Sequence, residues 1–308
     1  MKTKLLIALF AFTLMSCSDD ERYPETTVTI PSDPDNGNPT DPVVVEKKLE
    51  KILYINYRED GTISSTGKFE FDDAEKMVLV DGFSATGVPL RKREFTYNEK
   101  GLLINTNFHE SGSSNTTFYE YDALGRIVKT SNAYAIYEAV FTNRLFTYED
   151  DGSITVDEKV YEDSLEEGGG EIILSQGQYK YYKDAAGNIY KKTAANGNVI
   201  TEAVYGNGNI VSYTSGSSSI SFGFNTTNLP KGQYHNISKN AYGGLQNAIL
   251  IEGFAAVGLG ISNYVTEQNA VDKTTYAYEF DKDGYPVKIS FFKNDSDKPF
   301  QIREISYK

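Results

Sequence analysis

The chain has 308 residues and a formal net charge of −13, from 30 lysine and arginine side chains against 43 aspartate and glutamate side chains. This acidic balance disfavours nucleic acid and anionic head groups as partners, because both carry the same sign of charge. Cys17 is the only cysteine, which excludes an intramolecular disulfide. The length fits one large all-β domain or two smaller domains.

The first seventeen residues form a predicted targeting segment. Lys2 and Lys4 precede the apolar run Leu5–Leu14, which is too short to span a bilayer as a helix, since a span needs about 20 residues. The stretch Leu14-Met15-Ser16-Cys17 resembles a bacterial lipobox, in which the cysteine is lipidated after cleavage. We therefore predict a lipoprotein signal peptide over 1–16 and lipidation at Cys17. An ordinary secretory signal with a chance cysteine is the alternative.

The next predicted segment, 17–46, is a lipidated N-terminus followed by a linker. Ser18-Asp19-Asp20-Glu21 is similar to the acidic export signal of surface-exposed lipoproteins of Bacteroidetes, although it also fits a plain polar linker. Five of the nine prolines follow before Lys47, which favours an extended spacer. We predict an outer-membrane protein exposed at the cell surface, whose only membrane contact is the N-terminal lipid.

A degenerate repeat fills the segment 47–308: an aromatic residue, three mostly polar residues, glycine, one residue and an aliphatic residue. The clear copies are Tyr57 to Ile63, Tyr97 to Leu103, Tyr121 to Ile127, Tyr148 to Ile154 and Phe280 to Pro286. Looser copies are Phe71 to Met77 with Glu75 at the glycine site, Phe224 to Pro230 with Asn228 there, Tyr182 to Ile189 with one inserted residue, and Tyr205 to Ile210 with one residue fewer.

The repeat is typical of a β-hairpin turn. A short loop built on a type I turn closes on a residue with positive φ, which glycine adopts without steric cost. An aspartate or asparagine after the aromatic residue can accept hydrogen bonds from the turn backbone. We therefore predict a single all-β domain over 47–308, a strongly curved antiparallel meander of hairpins that forms an open or near-closed, barrel-like sheet.

One segment, 241–268, lacks the turn motif and carries few charges. Its apolar residues recur at helical spacing from Leu245, whereas its glycines weaken a helix. We predict a short helix over 245–257 that packs on the inner face of the sheet. A buried strand pair is the alternative.

Two families share features of this chain. The Tyr-Asp-Ala-Leu-Gly-Arg-Ile copy at Tyr121 is similar to the YD repeat of Rhs-type proteins. The chain as a whole resembles a group of Bacteroidetes lipoproteins that are classed as a domain of unknown function with a porin-like fold. The resemblance depends on the order of its features: a lipobox, an acidic spacer, serial hairpins, an apolar segment and the closing motif from Tyr278 to Pro286. The resemblance implies a strongly curved antiparallel sheet that approaches a barrel, and it implies no known activity or functional residue.

The second face of the predicted sheet argues against a membrane channel. Charged residues stand beside the aromatic positions of the first face, whereas a membrane barrel needs an unbroken apolar band toward lipid. These residues are Lys92, Glu94, Glu120, Lys180, Glu279 and Lys288. We therefore predict a soluble sheet with its aromatic face turned inward.

Few residues suggest catalysis or metal binding. His109 and His235 are the only histidines, and the sequence contains no zinc, phosphate-loop or nucleophile-elbow motif. The run Asp281-Lys282-Asp283-Gly284 begins like a calcium loop, but Phe292 stands where the loop needs glutamate, so we interpret it as a hairpin turn. We predict no metal and no cofactor. Ser164, in Asp163-Ser164-Leu165, resembles an O-glycosylation acceptor of Bacteroidetes.

The leading functional hypothesis is a non-enzymatic binding module with an unknown glycan or protein ligand. A structural or accessory subunit of an envelope complex is the alternative, and a glycan-active enzyme with a carboxylate pair is a third hypothesis. Because the repeated residues serve turns and core, we expect any site where the repeat fails, in 157–177 and 231–270.

Overall fold

The computed structural model describes residues 46–110, 112–135, 139–163, 170–225, 245–252 and 264–308. Eighteen β-strands and one helix lie in these ranges. The first nine strands are β1 Leu49–Tyr57, β2 Ile63–Phe71, β3 Met77–Ser84, β4 Pro89–Tyr97, β5 Leu103–Glu110, β6 Ser113–Tyr121, β7 Ile127–Ala135, β8 Ala139–Tyr148 and β9 Ile154–Asp163. The others are β10 Glu171–Lys183, β11 Ile189–Ala194, β12 Val199–Gly206, β13 Asn209–Ser215, β14 Ser218–Phe224, β15 Val265–Asn269, β16 Lys273–Phe280, β17 Pro286–Lys293 and β18 Pro299–Tyr307. The helix α1, Leu245–Glu252, lies between β14 and β15.

The strands form one closed antiparallel barrel. Each strand pairs with the next along the chain, and β18 pairs with β1, with Ile305 opposite Ile52. Beyond the strands, the Lys48 amide donates to the Lys308 carbonyl at 3.0 Å and the Lys308 amide donates back to the Lys48 carbonyl at 2.9 Å. The predicted all-β antiparallel meander is confirmed, and the ring is closed.

The hairpin turns have the predicted chemistry. In the β4–β5 turn, Asn98 Oδ1 accepts hydrogen bonds from the amides of Lys100 and Leu102, both at 3.0 Å, and Gly101 has a φ of 71°. The same pair of side-chain bonds recurs in the turns that begin at Asp72, Asp122, Asp184 and Asp281. Glu75 replaces glycine at φ 57°, which confirms the looser copy there.

One copy of the repeat differs from the prediction, and another lies apart from the rest. In the β10–β11 turn, Lys183 pairs with Ile189, and Asp184 is the turn's first residue. The turn therefore has the usual length, and Lys183 takes the aromatic position, so the predicted insertion was wrong. The copy at Tyr57 lies at the opposite end of the barrel from the other described copies, because it follows an odd-numbered strand.

The inner face of the barrel is apolar at one end, which we call the helix end because α1 lies there. This end holds the turns that follow even-numbered strands. The aliphatic residues that close the repeat are fully or almost fully buried at this end: Leu103, Ile127, Ile154, Ile189 and Ile210. The aromatic residues of the repeat pack against them. The inward aromatic face predicted from the repeat is confirmed at this end.

Tyrosines at or near the ends of the even-numbered strands form hydrogen bonds to the neighbouring strand. Tyr97 Oη donates to the Met77 carbonyl at 2.8 Å and Tyr148 Oη to the Ile127 carbonyl at 2.9 Å. Tyr205, Tyr278 and Tyr307 make the corresponding bonds at 2.7 to 3.0 Å. Each bond links the last residue of a strand, or one near it, to the start of the adjacent strand.

Helix α1 packs inside the barrel. Its residues Asn247, Ala248, Ile249 and Leu250 are all buried, so the helix is covered on more than one side. Asn247 joins it to the β6–β7 turn by donating to the Gly125 carbonyl at 3.2 Å and accepting from the Ile127 amide at 3.3 Å. The predicted inner-face helix is confirmed over 245–252, where the strand alternative is wrong, and 253–257 lies outside the described residues.

The outer face is charged, as predicted from the sequence. Lysine and carboxylate side chains pair on it as Lys92 with Glu94, Lys129 with Glu120, Lys180 with Asp151 and Lys288 with Glu279, at 2.6 to 3.2 Å. Within the described residues, no helix has the length and apolar character needed to cross a membrane.

Candidate functional site

A layer of cationic side chains occupies inward positions next to the apolar helix end. Arg93 lies opposite the buried Val80, Arg144 opposite the buried Thr130, and Lys192 opposite the buried Tyr181. Arg91 and Arg303 hold the corresponding inward positions in β4 and β18. These cations therefore face the lumen of a protein whose overall charge is strongly negative.

Arg144 and Lys192 share a cluster with one carboxylate. Arg144 Nε donates to Glu158 Oε2 at 2.5 Å, and Tyr179 Oη donates to Glu158 Oε1 at 3.1 Å. The Lys192 ammonium lies 4.1 Å from the ring centre of Tyr179 and 5.4 Å from that of Tyr181, within the range of cation–π attraction. Glu158 thus pairs with Arg144, and its charge also acts on the nearby Lys192.

Burial changes the acidity of this cluster. It lowers the pKa of the Lys192 ammonium, and the positive charge of Arg144 lowers it further, against the opposing effect of Glu158. Burial also raises the pKa of the Tyr179 hydroxyl, with the Glu158 charge acting in the same direction. Placing two cations in a partly desolvated space is unfavourable unless an anion compensates for them.

A polar cavity of about 170 Å³ adjoins the cluster. It is lined by Arg93, Thr106, Asn115, Thr117, Tyr119, Thr130, Asn132, Arg144, Phe146 and Leu250, from strands β4 to β8 and the helix. The Oδ1 atoms of Asn115 and Asn132 are buried and have no hydrogen-bond partner in the described part of the chain. The Arg144 side chain lines this cavity and keeps 42% of its surface accessible.

Around Arg91, by contrast, side chains fill the lumen. Tyr54 is completely buried and hydrogen bonded to Arg91, and its hydroxyl donates to the Asp81 carbonyl at 3.3 Å. Gly67 makes this possible, because a β-carbon there would lie 2.4 Å from Tyr54 Oη and 2.1 Å from the Asp81 carbonyl oxygen. Burial lowers the pKa of the Arg91 guanidinium. We regard this part of the lumen as packed core.

A second concavity of about 620 Å³ lies on the outer face of β7 to β10. It is lined by Lys129, Asn143, Leu145, Asp157, Glu158, Lys159, Gln176, Gly177 and Gln178. Three large apolar side chains on this face are about half exposed: Phe118, Leu145 and Ile173. The outer face of this quarter of the barrel is therefore less polar than its ion pairs alone suggest.

The predicted site residues are distributed as follows. Cys17, Ser164 and His235 lie outside the described residues, so lipidation and glycosylation stay predictions. His109 is exposed on the outer face, opposite Lys92 and Ser114. The structure does not bring it near the luminal cluster.

The β16–β17 turn has a role that the sequence did not indicate. Asp281 Oδ1 accepts the turn amides of Asp283 and Tyr285, which confirms the hairpin interpretation. Asp281 Oδ2 and Asp283 Oδ2 also lie 2.7 Å from the Lys47 ammonium. The turn therefore binds the segment that leads into β1.

The hypothesis of a catalytic carboxylate pair depends on the acidity of the carboxyl groups. Every described carboxyl whose pKa departs from its ordinary value has it lowered, mostly by hydrogen bonds within turns or by lysine partners, as for Asp151, whose pKa falls to about 2 through Ser153 and Lys180. A glycosidase acid needs a raised pKa instead. No described group of three His, Cys, Asp or Glu residues is arranged to hold a metal.

The luminal cations are the functional candidates that sequence reasoning missed. The alternation of inward and outward residues along each strand could have indicated them, because Arg93 is two residues from the core residue Phe95 and Arg144 is two residues from the core residue Phe146. Residues two apart in a strand share a face. The cavities agree in part with the expected location, since 157–177 contributes to the outer one and Leu250 to the luminal one.

Comparisons with known proteins give similarities in fold alone. No protein-family model matches the chain, and no curated protein matches it. Among solved structures, a porin-like protein from Bacteroides vulgatus is 12% identical over 85% of this chain and 99% of that chain, with a TM-score of 0.41. A porin-like protein from Bacteroides uniformis is 12% identical over 84% of this chain and 98% of that chain, with a TM-score of 0.40. Similarity at this level identifies no function.

Proposed function

We propose that this chain is a non-enzymatic binding protein that holds a small anionic ligand in its luminal cavity. The observation that carries the proposal is the cationic inner layer of an acidic protein, in which Glu158 pairs with Arg144 and its charge also acts on Lys192, beside an accessible cavity. Glu158 can balance only one of these two positive charges, and the half-buried Lys192 has lost part of its hydration. A bound anion would supply the missing charge.

Thermal unfolding of the purified full chain tests this proposal. Small carboxylates, hydroxycarboxylates and phosphate are each added at matched ionic strength. A ligand present at a hundred times its Kd stabilises by about 2.7 kcal/mol, which is about 5–10 °C in Tm for a domain of this size. We expect at least one anion to raise Tm in the wild type and to lose that effect in Arg144→Met.

Lys288→Met provides the matched control, because it removes one cation from the outer face, where Lys288 pairs with Glu279 away from both cavities. It should respond to the anions as the wild type does. If no anion raises Tm, or if Arg144→Met responds fully, luminal anion binding is wrong.

We further propose that lipidation of Cys17 anchors the protein to the outer membrane with its barrel exposed at the cell surface. The lipobox-like stretch ending at Cys17, the acidic residues behind it and the proline-rich linker support this placement. Metabolic labelling with palmitate should mark the wild type and not Cys17→Ser. Protease added to intact cells should degrade the wild-type barrel, and a protected, unlabelled protein would refute the placement.

The less polar outer face favours a second candidate, docking to a protein subunit of an envelope complex. Leu145 and Ile173 are each about half exposed beside the outer concavity, and exposed apolar patches often mark protein interfaces. A photo-crosslinker at Leu145 should then give one defined adduct in cells, and Ile173→Asp should remove it. A crosslinking pattern that Ile173→Asp leaves unchanged would count against this candidate.

A further inference from the structure

The luminal cavity offers hydrogen-bond donors to an occupant. Glu158 accepts the Nε–H of Arg144, and within the described ranges no hydrogen bond occupies the two terminal nitrogens of that guanidinium. Two coplanar N–H donors match the two oxygens of a carboxylate in a bidentate pair. Arg93 lines the same cavity and adds positive charge.

The cavity also offers acceptors. Asn115 Oδ1 and Asn132 Oδ1 are buried and lack partners in the described part of the chain. A buried acceptor without a partner is unfavourable. A simple anion such as acetate brings no donor to these oxygens, whereas each hydroxyl group of a ligand supplies one donor.

The volume limits the size of the ligand. The cavity measures about 170 Å³, close to the roughly 150 Å³ of an engineered cavity that binds benzene. Ligands on the order of 6–10 non-hydrogen atoms therefore fit. Drug-sized ligands occupy pockets of about 300 Å³ or more.

We propose that the luminal cavity binds a small hydroxycarboxylate, with its carboxylate on Arg144 and its hydroxyl groups donating to Asn115 and Asn132. This inference rests on the proposed function and adds the chemical class of the ligand. A dihydroxy acid such as glycerate has one hydroxyl for each of the two amide oxygens.

Isothermal titration calorimetry on the full chain tests the proposal with four probes at matched ionic strength. Glycerate carries both chemical groups, propionate lacks the hydroxyls, glycerol lacks the charge, and inorganic phosphate supplies charge with a different geometry. We expect glycerate to bind at least tenfold more tightly than the other three probes, because only glycerate satisfies Arg144 and both asparagines.

Two variants separate the contacts. Asn132→Leu removes one acceptor at similar volume, so it should weaken glycerate at least tenfold and leave propionate unchanged. Arg144→Met should weaken both acids at least tenfold. Lys288→Met, on the outer face and away from both cavities, should change neither affinity. If Arg144→Met fails to fold, Asn132→Leu alone tests the hydroxycarboxylate assignment. Its effect is measured as the ratio of the glycerate affinity to the propionate affinity, compared with the same ratio in the wild type.

The outcomes distinguish the two proposals. If phosphate or propionate binds as tightly as glycerate, or if Asn132→Leu keeps the wild-type ratio, the hydroxycarboxylate assignment is overturned while luminal anion binding stands. If no anion binds the wild type, both proposals are overturned, and water alone occupies the cavity.

Discussion

Replacing repeat tyrosines with phenylalanine tests whether their hydroxyl bonds stabilise the barrel. Tyr97 and Tyr121 occupy the same repeat position on successive hairpins, and both are partly buried. Tyr97 Oη donates to the Met77 carbonyl at 2.8 Å, whereas Tyr121 Oη is buried with no hydrogen-bond partner in the described part of the chain. Each substitution removes one oxygen atom, so the two variants differ in the hydrogen bond.

The expected change in the free energy of unfolding depends on whether the tyrosine hydroxyl is hydrogen bonded. A typical intramolecular hydrogen bond contributes about 1 kcal/mol net, so Tyr97→Phe should lower the free energy of unfolding by about that amount. Tyr121→Phe removes a desolvated, unsatisfied hydroxyl and should be neutral or stabilising. In a domain of this size, about 1 kcal/mol corresponds to about 2–4 °C in Tm.

Thermal and urea unfolding, followed by circular dichroism at neutral pH, measure both variants. Tyr97→Phe should melt below the wild type, and Tyr121→Phe should melt at or above it. Equal losses in the two variants would refute the reasoning, because they would show that the contribution of the hydroxyl does not depend on its bond to the neighbouring hairpin.

Three further predictions concern packing, pH and charge. Gly67→Ala places a β-carbon 2.1 Å from the Asp81 carbonyl oxygen and should destabilise by about 1–3 kcal/mol in urea unfolding, whereas Gly170→Ala, with open space around it, should not. Burial raises the pKa of Tyr148 to about 12. Because this folded-state pKa exceeds the unfolded-state pKa of about 10, the protonated hydroxyl contributes fully to the stability of the folded state below pH 10, and this contribution is lost as the pH rises toward 12. Between pH 10 and 12, Tm should therefore fall less in Tyr148→Phe than in the wild type. Lys47→Met removes an ion pair with the β16–β17 turn and should lower stability by at most about 1 kcal/mol, with the difference vanishing in 1 M NaCl as charges are screened.

Local chemistry could be predicted from the sequence because it depends on a few neighbouring residues. The positive φ at Gly101 and the side-chain bonds of Asn98 follow from turn geometry and were expected. The helix at Leu245–Glu252 was also predictable, because an apolar segment without turn residues interrupts a chain of hairpins.

Contacts across the ring could not be predicted in this way. The alternation of side chains along a strand places Arg144 on the same face as Phe146. It does not indicate which other strands lie close to Arg144 once the sheet curves. The meeting of Arg144 with Lys192 through Glu158 needs strands β8 to β11 in register. Lys47 reaches Asp281 only because β18 returns to β1, and that closure was left open by the sequence.

Ring closure also sets an order for folding. The pairing of β1 with β18 joins the first and last described strands, the largest sequence separation in the sheet, and such distant contacts form slowly because a long loop must close first. During synthesis, β1 therefore keeps one unpaired edge until the last strand arrives. An unpaired edge is a template for aggregation, so chains that stop before β18 should depend on chaperones or proteases in a way that the complete barrel does not.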